Sequence, residues 1–354
     1  MNLFVLSELH PENKHVGWAV SYTLERTLEN ACNATFLYPL SNDRIGILKR
    51  YRHRIFRSWF EIQDLPVLGS GINVLLIVGI LPRFLLSMHA LGPLLKKFDL
   101  RIGYLLDGFK PDHIDRTVFS ELDQLFVISA EIADEINSSS PVSAAFLPLA
   151  TDTFRVTSNA RYRSIDIISY GRTNRAVHEC LQTHYMESES DRTYFYSTFS
   201  KPDVYDLEEH ITLLSNLLGR SKISLCFEAS NIERFCGYSP ILFRWFEGWN
   251  AGCNIVGRKP FGKNVTPLMD WENSTLELPD DRTEWIAFFE DLLENQKLLE
   301  ANSRRNRLEC LARHDWRYRI SDMFNSVNLP IPESLNTDLL RLKHRIEEQK
   351  TVLI

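Results

Sequence analysis

Chemistry is most concentrated in the stretch 237-GYSPILFRWFEGWNAGCNIVG-257, where Arg244 and Glu247 stand three residues apart among aromatic side chains. The spacing predicts a helix over 240–251, with the Ser239 hydroxyl as its cap and Pro240 at the first helical position. Gly252 closes it. Free amides and the dipole at that end favour an anion such as a diphosphate. Tyr238 belongs to the same turn. Glu247 lies two turns after Pro240, hence on nearly the same face. A carboxylate there can accept both hydroxyls of a ribose, with Arg244 one turn away to pair with it. An ordinary capped helix with a surface ion pair fits the same residue types.

Four further groups suit related chemistry. Gly171 and Arg172 follow an apolar run, and a guanidinium presents the fork that phosphate oxygens match. Arg175 and Lys222 are weaker candidates of the same kind. In 7-SELHPENKHVGW-18, Glu8, His10 and His15 offer a base able to take a hydroxyl proton near neutral pH, and Asp107, just after 104-YLL-106, offers another. We take His10 and Asp107 as the two candidate catalytic bases; a solvated or structural role fits each histidine as well. The segment 48-LKRYRHRIFRSWF-60 interleaves basic and aromatic residues, which suits an anionic membrane surface, an anionic acceptor or a solvated helix face. No HExxH motif occurs, and Asp280-Asp281 falls where a helix start favours aspartate anyway.

These residues must be placed by the elements around them. Apolar runs of strand length occur at 2–6, 34–38, 73–80, 101–106, 124–128 and 144–147, and again at 165–170, 193–197, 222–227, 253–257 and 274–278. Their continuous apolarity suits parallel strands covered on both faces. Helices are expected at 205–219, 240–251, 283–295 and 296–313, with an amphipathic tail over 334–354. The polar, turn-prone stretch 148–164 is the expected hinge. The prediction is an α/β protein of two Rossmann-like domains facing a central cleft: 1–150, 151–330 and a helical tail over 331–354.

Bulk composition narrows the class. A chain of 354 residues exceeds what one core usually supports. A net charge of -6 gives no general reason to bind nucleic acid. The 6 cysteines form no CxxC pair, which argues against a zinc ribbon or a disulfide framework and suits a reducing compartment. The N-terminus lacks the basic and apolar regions of a signal peptide, and the longest apolar run is broken by Pro82 and Arg83. A cytoplasmic location is expected.

The string 243-FRWFEGWNAGCNIVG-257 resembles the R-[FYW]-F-E-A-x-A-A-G-C-x-V-V-G segment of GT-B-fold glycosyltransferases of the "group 1" type. The likeness extends to 169-SYGRTNRAVHECL-181, 221-SKISLCFEAS-230, 313-RHDWRYRISDMF-324 and 146-FLPLATD-152, covering roughly 120–324. It implies GT-B architecture, an acceptor-binding first half and a donor-binding second half. Glu247 would hold the donor ribose, with Gly171, Arg172, Lys222, Tyr238, Ser239, Pro240 and Arg244 around the nucleotide. It also implies independence of metal or other cofactor, and partners that are a nucleotide-diphosphate sugar and a glycan or lipid-linked acceptor in bacterial surface polysaccharide or glycolipid synthesis. Membrane contact through 48–60 would be peripheral. The sequence departs from the family where many retaining members carry a glutamate eight positions before the second one; here that place is Ser239. A nucleotide-sugar 2-epimerase on the same fold and a non-catalytic nucleotide-sugar or glycan-binding protein are the alternative readings.

Overall fold

The computed structural model describes residues 1–11, 15–41, 59–155, 162–187, 190–197 and 203–352. Two compact units result. The first comprises Met1–Pro148, Ser230–Tyr238 and Arg319–Asp338, and the second Leu149–Ala229, Ser239–Tyr318 and Leu339–Ile354. The expected second domain, continuous over 151–330, is thus interrupted: two of its segments pack into the first unit, and the tail is shared instead of standing apart.

The first unit is built on β1 (Asn2–Ser7), β2 (Thr35–Leu37), β5 (Asn73–Gly79), β6 (Leu100–Leu105), β7 (Gln124–Val127) and β8 (Ser143–Phe146), with a small antiparallel pair, β3 (Leu40–Ser41) and β4 (Phe60–Glu61), beside them in the chain. Strand order in the main sheet is β2-β1-β5-β6-β7-β8, all parallel. Every residue of β5 is buried, as its unbroken apolar run requires of a strand covered on both faces. The 3-10 segment Pro82–Lys97 and the helix Ala130–Ser139 supply side chains to the core on one side. Among the core residues are Leu6, Leu75, Ile77, Phe84 and Leu125.

The second unit repeats the plan with β9 (Ile165–Ser169), β10 (Tyr194–Tyr196), β11 (Ser221–Phe227), β12 (Asn254–Arg258) and β13 (Leu276–Glu277), in parallel order β10-β9-β11-β12-β13. Its helices run Arg175–Tyr185, Leu207–Gly219, Phe243–Ala251, Trp285–Glu294 and Gln296–Arg313. In both sheets the order reverses after the first strand, between β1 and β5 and between β9 and β11. Helices there leave in opposite directions, which opens a crevice at the carboxyl ends of the strands.

The first residues of the expected hinge are bonded within the second unit. Thr151 bridges to Asp315, and both the amide and the hydroxyl of Thr153 donate to Asp315 Oδ2, at 2.8 and 2.6 Å. Arg317 pairs with Asp152 and Asp315. These contacts place 313-RHDW-316 and its neighbours in a buried, load-sharing role: His314 and Asp315 are fully buried, and His314 Nε2 lies 2.8 Å from the Leu268 carbonyl. The segment 156–161 lies outside the described residues. Among the described residues, no helix is long and apolar enough to cross a membrane.

Candidate functional site

The site is assembled at the carboxyl ends of β9 and β11, where the second sheet changes direction. The helix Phe243–Ala251 starts three residues later than the sequence suggested. Its cap is Leu242, in extended conformation with no side-chain hydrogen bond. Ser239 lies outside the helix, before its Leu242 cap, and its hydroxyl donates to Glu228 Oε2 at 2.9 Å. Ser239 is buried, and so is Pro240, which precedes the helix instead of opening it. The helix is held by its indoles, Trp245 Nε1 to Thr275 Oγ1 at 2.9 Å and Trp249 Nε1 to the Ser274 carbonyl at 2.8 Å. Gly252, at φ 71°, ends it in the left-handed region.

With the inner face of the helix buried, Arg244 and Glu247 point at the turn after β9. The Tyr170 hydroxyl donates to Glu247 Oε2 at 2.8 Å. The Arg244 guanidinium donates to the carbonyl oxygens of Tyr170 and Arg172. It thus serves the backbone of the turn, in place of the expected ion pair with Glu247. Burial pushes the Glu247 carboxyl up, while the Tyr170 hydrogen bond and the Arg244 charge oppose that rise. Burial, with the nearby Glu247 charge, drives the Tyr170 phenol well above its ordinary range, so it acts as a donor. Gly171 has φ 66°, a conformation that side chains rarely adopt, and a Cβ there would meet nothing within 4 Å. The turn therefore leaves open space above Gly171, with the Arg172 side chain exposed beside it.

Three expected members lie elsewhere. Lys222, the second residue of β11, pairs with Asp166 at 2.6 Å, and Asp166 is likewise second in β9. It therefore sits at the amino ends of the strands, opposite the crevice. Tyr238 belongs to the first unit, where its hydroxyl bonds Glu135 and its ring packs on the core. Asp107 is engaged by Arg234 through both carboxylate oxygens, at 2.9 and 3.2 Å, and also accepts from the Gly108 amide at 2.8 Å. A carboxylate so engaged anchors the segment Ser230–Tyr238, so Asp107 is a structural anion and not the free base expected.

At the carboxyl end of β1, Glu8 accepts from the amides of Ile80 and Leu81 at 2.6 and 3.2 Å, tying the ends of β1 and β5 together. His15 Nδ1 accepts from the Gly17 amide at 3.0 Å and caps a 3-10 turn. The His10 ring meets Tyr38 edge-on at 6.1 Å. Beneath them Ser7 Oγ donates to the buried Glu25 at 2.7 Å, and burial pushes that carboxyl up to about 8.

Sequence reasoning missed Tyr170 and Glu228. Both directly follow strands next to the point where the sheet order reverses, and that position was the available signal. Tyr170 reads as one more core aromatic in 165-IDIISY-170. The stretch 48–60, expected to contact a membrane or an acceptor, lies outside the described residues through 58.

No family model matches the chain, and no curated protein matches it. Solved structures do. Anabaena HepE, in complex with UDP-glucose, aligns over 93% of this chain and 99% of its own at 10% identity, with a TM-score of 0.53. S. aureus TarM, in complex with Fondaparinux, alpha-GlcNAc-glycerol and UDP, aligns over 72% of this chain and 55% of its own at 9% identity and a TM-score of 0.47. The spinosyn rhamnosyltransferase SpnG, complexed with thymidine diphosphate, aligns over 91% of this chain and 100% of its own at 11% identity and a TM-score of 0.41. The likeness to HepE shows the fold: this chain has the GT-B fold, with a Rossmann-like sheet in each unit.

Proposed function

We propose that this chain is a glycosyltransferase that moves a sugar from a nucleotide-diphosphate donor to an acceptor hydroxyl. The observation that carries the reading is Glu247, held by Tyr170 beside the open Gly171–Arg172 turn where the second sheet changes direction. Glu247 accepts from ribose hydroxyls. The turn receives the diphosphate, with the exposed Arg172 guanidinium balancing the charge that grows on the leaving group. The UDP-glucose bound by HepE is a ligand of this chemical class.

The remaining roles extend the same proposal. Ser239 stands where many family members carry a glutamate, and its hydroxyl instead fixes the carboxylate of Glu228, which follows β11. Glu228 supplies the acidic group for the sugar hydroxyls. His10 is the base that takes the acceptor proton, since Asp107 is committed to Arg234. No metal or other cofactor is needed. The acceptor is a glycan or lipid-linked glycan, handled in the cytoplasm or at the inner membrane surface during bacterial surface polysaccharide or glycolipid synthesis.

A thermal-shift screen against UDP, GDP, ADP, CMP and dTDP tests the reading, because a ligand of the folded state raises the melting temperature. One nucleotide should stabilise the protein clearly, and Glu247→Ala should abolish that response. A wild-type protein indifferent to all five would overturn the donor site.

A further inference from the structure

We propose that Tyr170 is a positioning and specificity residue, whose hydroxyl orients Glu247 so that the site selects a ribonucleotide over its 2′-deoxy counterpart. The inference rests on the donor-site reading above and adds to it the group that makes the ribose contact selective.

The geometry is reciprocal. From the turn, the Tyr170 hydroxyl reaches Glu247 Oε2 at 2.8 Å; from the helix, Arg244 reaches back to the Tyr170 and Arg172 carbonyls. Arg244 and Glu247 are one helical turn apart and so share a face. Two opposed contacts between the same pair of elements fix both their separation and the rotation of the carboxylate. Tyr170 is 8% exposed, so its ring is clamped and its hydroxyl has little freedom. With Oε2 occupied and the torsion fixed, Glu247 presents Oε1 to a ligand in one orientation. A diol at a set distance from the Gly171–Arg172 turn meets it, and a deoxyribose lacks one of the two hydroxyls.

The contact also has an electrostatic consequence. A ribose needs the carboxylate as acceptor, whereas burial favours the neutral acid, which Tyr170 and Arg244 counteract. The groups that face Glu247 are Tyr170 from the end of β9, Cys226 from β11 and Arg244 from its own helix. The Cys226 thiol, pushed up to about 12 by burial, stays protonated throughout the relevant range. Removing the Tyr170 hydroxyl takes away a hydrogen bond that favours the charged form, so nucleotide binding should fade at a higher pH as the solution is acidified.

Tyr170→Phe tests this, since it keeps the ring and deletes only the donor. UDP, GDP and ADP are titrated calorimetrically beside their 2′-deoxy counterparts between pH 5 and pH 9, using the pair whose ribose member binds wild type. In the variant the ribonucleotide should bind about tenfold more weakly, the deoxynucleotide should be unchanged within about twofold, and the acid limb should move to higher pH. Equal weakening of both nucleotides with an unmoved pH profile would assign Tyr170 a merely structural role and overturn the proposal; so would a variant that binds and titrates like wild type. If wild type is stabilised by dTDP and binds none of the three ribonucleotides, this inference fails while the donor-site reading stands; if the folded protein binds none of the five nucleotides, both fail. Glu247→Gln, neutral at every pH, serves as the control that should bind weakly without an acid limb.

Discussion

Single residues set the chemistry available in each unit, and two carboxylates illustrate how. Glu25 is 5% exposed and hydrogen-bonded by Ser7, with burial raising its carboxyl to about 8. A carboxyl that holds its proton more tightly folded than unfolded stabilises the fold fully below its unfolded value. That contribution is then lost as pH climbs through the folded one. Urea unfolding should therefore show stability falling between about pH 4.5 and pH 8, by up to a few kcal/mol. Glu25→Gln should flatten that slope, and an unchanged slope would mean that Glu25 is ionised in the fold. Asp107 makes the opposite case, an anion already paired. Asp107→Asn should cost about 1 kcal/mol of stability and leave kcat within about threefold. His10→Ala should lower kcat by about a hundredfold or more, as the loss of a general base does. The types and spacing of such residues are visible in the sequence, but their partners are not. The Arg234 that occupies Asp107 lies 127 positions away, and the Asp166 that occupies Lys222 lies 56 away.

Elements decide how well those residues are held. The helix Phe243–Ala251 lies against β12 through Gly248, where a Cβ would come within 2.5 Å of Ile255 Cδ1. Gly248→Ala can be absorbed by rotation of that flexible methyl, helped by the higher helix propensity of alanine. Gly248→Val would push the helix off the strand, moving Arg244 and Glu247 from the turn. It should cost about 1–3 kcal/mol in thermal or urea unfolding and weaken nucleotide binding with it. A Val variant of normal stability and affinity would show that the helix position is not critical. The existence of this helix was legible, because its apolar residues repeat with helical period and Gly252 marks its end. Its start was not: the serine that reads as a cap lies before the Leu242 cap, with its hydroxyl on Glu228, a contact made only once β11 is in place.

At the scale of the whole molecule, each unit is built on a parallel sheet, and the proposed donor residues of the second stand at the carboxyl ends of its strands. The diphosphate is assigned to a backbone turn and a guanidinium, so turnover should be unaffected by a strong chelator; abolition of activity by EDTA, with rescue by a divalent ion, would contradict that assignment. The strands and most helices could be read from the sequence because burial on both faces writes itself as unbroken apolar runs, local in the chain. The likeness of 243–257 and 313–324 to a known family pointed to the same fold. Which segments join which unit was not readable, since Ser230–Tyr238 and Arg319–Asp338 leave the second half to pack in the first, and their neighbours are remote in sequence. Thus the sequence by itself determined two α/β units and the helix bearing Arg244 and Glu247. Only the tertiary structure decided that Tyr170 meets Glu247 and Glu228 meets Ser239, while Lys222, Tyr238 and Asp107 are bonded to Asp166, Glu135 and Arg234. The physical reason is that periodicity and caps are local properties, whereas a hydrogen bond or ion pair is settled by whichever distant side chain the packed strands bring within reach.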